Sequence, residues 1–156
     1  MQEHRLLEAC RATSQAYALY NRRRTKHRAR EGVLSLNRVK SACVYRARAF
    51  AKALAPNLHD RFLNFVEQTL YMSLKIPFFS NAYRAHYVYE SETPVAPATL
   101  QSRAERHEVD AAAVRFLRTE GFHVRFRRNE LRKTAGDGAL IITEFTSFII
   151  DWSPSA

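Results

Sequence analysis

The sequence predicts an α+β protein, mainly helical, in which about four helices precede a C-terminal antiparallel β-hairpin. Three observations carry that prediction. Apolar residues recur at steps of three and four in four separate segments, the period of an amphipathic helix. Beyond Gly121 the period switches to two, in "FHVRF" and again in "ALIITEFTSFIIDW". Gly121 itself stands where a helix would stop, followed by an aromatic residue.

A chain of 156 residues fits one domain and buries roughly 70 % of its unfolded surface, enough for a core without metal or disulfide. Hydrophobic residues at 46 %, against four Gly and five Pro, mark a folding chain rather than a low-complexity one. Cys10 and Cys43 lie in no CxxC or Cys/His ladder, so they read as small buried hydrophobes in a reducing compartment.

Leu6, Cys10, Thr13, Tyr17 and Tyr20 form the stripe of a first helix, and the same rhythm continued lands on Arg24 and Arg28. The core-facing stripe therefore ends at Tyr20, and the arginines beyond it must protrude. Gly32 reads as a stop or turn. A second helix carries Leu36, Val39, Cys43, Ala47, Phe50 and Leu54 inward, with Pro56 just beyond its end. Its other face holds Arg38, Lys40, Arg46, Arg48 and Lys52.

A third helix is expected from Asn57, capped by that side chain with Asp60 three residues on, and stopped by Pro77. Its stripe of Leu58, Phe62, Phe65, Val66, Thr69, Leu70 and Ser73 is wide enough to meet two neighbours. The stretch 78–97 is aromatic, with Phe78, Phe79, Tyr83, Tyr87 and Tyr89, and reads as an edge strand or an extended arm. Those five residues either touch another protein or complete the core of this one. Pro94 and Pro97 mark a linker, and Thr99 is the expected cap of a fourth helix that turns Val109, Ala112, Ala113, Phe116 and Leu117 inward. The hairpin then pairs Phe122, Val124 and Phe126 with a long partner strand, expected to contain a bulge, across a loop "NELRKTAGDG" whose Asp137-Gly138 suits a tight turn.

Charge is distributed unevenly. The 25 Lys and Arg exceed the 15 Asp and Glu by ten, and the whole excess lies before residue 53: thirteen basic residues face Glu3, Glu8 and Glu31, whereas the remainder carries twelve of each sign. The chain thus reads as one domain with a basic helical part, 1–52, and a charge-balanced part, 53–156. In "NRRRTKHRAR" six side chains of ten are cationic: Arg22, Arg23, Arg24, Lys26, Arg28 and Arg30. With Arg38, Lys40, Arg46 and Arg48 they make the candidate surface for a polyanion or an acidic partner. Three readings compete for it: a solvated helix end, a nucleic-acid patch whose binding weakens steeply with salt, and a set of arginines that lock into acidic protein surfaces of a large assembly.

No chemistry-bearing constellation accompanies these charges. His4, His27, His59, His86, His107 and His123 lack metal-ligand spacing, "AGDG" precedes no phosphate-binding helix, and no GxSxG occurs. A non-enzyme without metal, cofactor or small-molecule substrate is expected. The start "MQEHRLLEACR" has no apolar signal core and no run reaches about 18 apolar residues, so an intracellular, non-secreted chain without a membrane span is expected.

The arrangement "AAAVRFLRTEGFHVRF…IITEFTSFIIDW", a helix ending in Gly-aromatic-x-Val and a hairpin closing on Ile-Asp-Trp, resembles a small unit of proteins from large nucleocytoplasmic DNA viruses over residues 110–152. This chain departs from that unit by a long basic loop in the hairpin. The resemblance implies a minor capsid or virion component, located in the virion; without it, the cytoplasm or nucleus is the expected site. Other proteins of an assembly, packaged nucleic acid, or both are the implied partners, a free nonspecific DNA- or RNA-binding protein being the alternative and an enzyme whose site is assembled from distant residues the second.

Overall fold

The computed structural model describes residues 5–75, 83–94 and 97–154; for Met72, Lys75, 84–94 and 97–102 it describes the backbone. The element order is α1 (Leu6–Arg22), α2 (Lys26–Ala51), a 3₁₀ turn (Pro56–Leu58), α3 (His59–Glu67), a π turn (Gln68–Met72), α4 (Ser73–Lys75), β1 (Arg84–Pro94), α5 (Pro97–Thr119), β2 (His123–Thr134) and β3 (Leu140–Asp151). The fold is α+β and mainly helical, and it closes on an antiparallel hairpin, β2–β3.

α1 and α2 form a helical hairpin whose break lies at Arg23–Thr25 and not at Gly32, as the sequence suggested. Arg23 is extended, and the Thr25 hydroxyl accepts the Arg28 backbone N–H at 3.1 Å, capping α2. Gly32 is buried inside α2 and lacks the positive φ that a helix stop requires; Gly121 and Gly138 have it. Replacing Thr25 with Ala is expected to cost about 1 kcal/mol, the ordinary value of such a cap, read as a lower urea midpoint.

α3 starts two residues later than expected, because Pro56 and Asn57 wind into the 3₁₀ turn and no side chain caps α3. The π turn adds a residue to the winding, and Thr69, Leu70 and Leu74 all end inside. Pro77, the expected stop, lies outside the described residues. α5 begins at Pro97, so Thr99 sits within the helix instead of capping it; proline suits a first turn, whose N–H groups have no intrahelical partner. Its C-terminus is the Schellman stop that Gly121 and Phe122 predicted. Phe122 N–H reaches the Leu117 carbonyl and Gly121 N–H the Arg118 carbonyl, both at 3.0 Å, and Gly121 has φ +98°. A Cβ there would come within 2.9 Å of a Leu7 methyl.

The aromatic stretch contributes an edge strand. β1, β3 and β2 form a three-stranded antiparallel sheet in that order. Pairing along β3 is one-to-one from Arg84↔Asp151 to Pro94↔Ile141 and from His123↔Asp151 to Thr134↔Leu140, so the expected bulge is absent from these ladders. The expected ten-residue loop is mostly strand: β2 continues to Thr134, and a tight connection remains in which Gly138, at φ +86°, donates to the Ala135 carbonyl at 2.9 Å. The long basic loop that set this chain apart from the viral unit is therefore not a loop. Pairing takes up the backbone groups that face β3 there, while the side chains of Arg132 and Lys133 stay exposed.

Alternate β3 residues, Ile142 to Ile150, are buried against the helices. Phe50, Phe62 and Phe116 meet at centroid distances of 5.3–5.7 Å and join α2, α3 and α5; Phe65 of α3 meets Phe148 of β3 at a tilt, with centroids 5.1 Å apart. One core cluster draws on α1, α2, α3, α5, β2 and β3, and it includes both cysteines, which are free thiols. Burial pushes the Cys43 thiol up to about 12 and raises Cys10 as well, which keeps both protonated and inert.

Candidate polyanion-binding surface

The stripe that anchors α1 ends at Tyr17, and no residue between it and Gly32 is buried. The tip of the α1–α2 hairpin therefore stands away from the core, and the arginine stretch is its apex. Arg22, Arg23, Arg24, Lys26 and Arg30 are exposed and Arg28 is half-buried. The Arg24 guanidinium lies 5.9 Å from the Tyr20 ring centroid. Glu31, the sole carboxylate of the sequence between Glu8 and Asp60, meets His27 at 3.0 Å and Arg28 at 3.9 Å. Among the described residues, Arg22, Arg23, Lys26 and Arg30 make no ion pair.

Lys26 and Arg28 also sit in the first turn of α2, which holds no acidic residue to offset the positive end of the helix dipole. Cations there are destabilising by a few tenths of a kcal/mol each. The local energetics thus favour an anion supplied from outside.

The cationic surface continues along α2, where Arg38, Lys40, Arg48 and Lys52 are exposed. Lys40 lies 5.5 Å from the Tyr71 ring centroid. From Lys26 to Lys52 the row spans about 39 Å at 1.5 Å per residue. Arg46 leaves the expected set, because it donates both a 2.9 Å Nε and a 2.9 Å Nη2 bond to Glu120, whose side chain is 7 % exposed. This fork ties α2 to the end of α5 and is structural.

The five aromatic candidates separate. Tyr83 packs on the core, and its carbonyl accepts the Trp152 N–H at 2.9 Å, so it completes this fold. Tyr87 and Tyr89 occupy β1 opposite Phe148 and Thr146, whose register is the buried one in β3. Phe78 and Phe79 lie outside the described residues.

Sequence reasoning missed a buried ionic knot between α5 and the sheet. Glu144 is 1 % exposed and accepts from Arg103 and Arg106, with His107 Nε2 at 3.2 Å. Arg103 also binds Glu130, and Arg128 lies 3.6 Å from buried Asp110. Burial raises the Glu144 carboxyl, but the hydrogen bonds from Arg103 and His107 and the charges of Arg106 and His107 outweigh it, leaving a net shift below the usual value. The signal was present: Glu144 is in phase with Ile142, Thr146, Phe148 and Ile150, a charge on an inward register. With two arginines and a histidine around it and no nucleophile among these partners, the knot fastens α5 across the strands.

Among the described residues no cluster of His, Cys, Asp or Glu could hold a metal ion, and no helix is long and apolar enough to cross a membrane. No known protein family matches the chain, and neither curated proteins nor solved structures include a significant match.

Proposed function

We propose that this protein is a non-enzymatic basic assembly protein that grips a polyanion with the tip and outer edge of the α1–α2 hairpin. The observation that carries the reading is the standing of Arg22, Arg23, Lys26 and Arg30 outside the core with no carboxylate paired to them among the described residues. A cationic row of about 39 Å suits an extended polyanion, and nucleic acid is one, with charge along its whole length. The resemblance of residues 110–152 to small proteins of large nucleocytoplasmic DNA viruses supports a particle setting, with the chain as a minor capsid or virion component and packaged nucleic acid as its partner.

The test is fluorescence anisotropy of a labelled 20-base-pair duplex across a salt series. About six phosphate contacts give a slope of log K against log salt near −5, and Arg22→Ala, Arg23→Ala, Arg24→Ala together reduce its magnitude by about 3 while the fold is kept. Binding that ignores salt, or a triple variant that binds as before, overturns the reading. Half-exposed Val33 and Leu34 among the cations favour a second one, an acidic protein surface; it predicts no duplex binding and a fixed stoichiometry within particles.

A further inference from the structure

Toward its C-terminal end, α2 departs from a plain basic face. Tyr45 is 58 % exposed, the most open of the large apolar side chains described. It forms the wall of a shallow groove of about 690 Å³ with Val44 and Ser41, rimmed by Lys40, Arg48 and Lys52. No carboxylate lines the groove, and none pairs with the three cations among the described residues. Ser41, Tyr45, Arg48 and Lys52 follow one another at four, three and four residues, so they share one face of the helix over about 16 Å.

Single exposed apolar residues are ordinary on a protein surface. An aromatic wall inside a cationic rim is a different arrangement, because each part suits a different part of one ligand. The rim attracts a phosphodiester backbone, and the phenol ring offers a flat face on which a base can stack. A base in a duplex is stacked and paired and cannot reach the ring; an unpaired one can. An acidic protein segment would satisfy the rim but gains little from the exposed part of an aromatic ring.

We propose that the Tyr45 groove is a stacking subsite for single-stranded nucleic acid, which deepens the polyanion-binding reading and rests on it. The cationic tip takes backbone charge of any nucleic acid, and the groove adds preference for unpaired strands.

Full-length protein titrated with labelled oligothymidine of 20 nucleotides and with a 20-base-pair duplex tests this. Tyr45→Ala is expected to weaken oligothymidine binding tenfold or more with the salt slope unchanged, since no charge is lost, and to leave duplex binding within about twofold. Tyr45→Phe keeps the ring and is expected to bind oligothymidine within about threefold of the parent. Lys52→Ala reduces the magnitude of the single-strand salt slope by about 0.7. If the duplex binds and Tyr45→Ala changes both ligands equally or neither, the stacking subsite is wrong and the polyanion reading stands. If neither nucleic acid binds, both fall; Tyr45-dependent binding of polyglutamate in their place would assign the groove to acidic protein.

Discussion

Replacing Glu144 with alanine is expected to destabilise the fold by about 3–5 kcal/mol, the cost of removing one partner from a buried ionic cluster. The reason lies in what remains. Arg103 and Arg106, with side chains 16 % and 24 % exposed, would face a vacated site beside the sheet, and His107 would lose the same acceptor. Urea unfolding followed through the fluorescence of Trp152, the single tryptophan, reads the effect as a lower midpoint. A midpoint within a few tenths molar of the parent would show that the knot contributes little. The same group sets a pH dependence. Because the folded carboxyl is held below its ordinary value of 4.5, its contribution is full above that pH and is lost as pH falls through the folded value. The stability gap between the parent and Glu144→Gln should therefore be constant near neutrality and narrow below about pH 4.5.

Trp152→Ala is expected to cost about 3–5 kcal/mol as well, here through a cavity. The indole is 1 % exposed, meets Phe122 edge-on at 6.3 Å, and donates from Nε1 to Ser14 Oγ at 2.8 Å. Its backbone is pinned on both sides, by the Tyr83 carbonyl and by Arg11 Nε at 2.8 Å, so the end of β3 is the latch that holds α1 to the sheet. Circular dichroism must follow this variant, since the fluorophore is gone. Ser14→Ala removes the hydroxyl that accepts this bond, leaves a buried N–H unsatisfied, and should cost about 1–3 kcal/mol. Equal losses in the two variants would mean that the hydrogen bond, not the packing, holds the latch.

Local signals were legible where a single short segment decides the outcome. The α5 stop needed a left-handed residue and an apolar contact five residues apart, and "LRTEGF" contains both. Gly32 misled because glycine is also small enough to be buried within a helix, and only the tertiary structure says which property is used. Arg46 misled for a similar reason: on the sequence it is one more cation on a basic face, and its carboxylate partner Glu120 is 74 residues away. "NELRKT" reads as a loop because it is polar, whereas the continuous ladder to Leu140 lets a polar strand persist.

Periodicity and charge placement by themselves determined the α+β class, the helical hairpin's basic content, the free buried cysteines and the hairpin at the C-terminus. These depend on repeat spacing and composition, which act between residues close in the chain. The tertiary structure alone decided which cations stay in water, which are bound internally, that β1 joins the sheet edge, and that Glu144 gathers Arg103, Arg106 and His107. Those outcomes depend on pairing and desolvation between residues tens of positions apart, where the free energy belongs to the assembled neighbourhood and not to any segment within it.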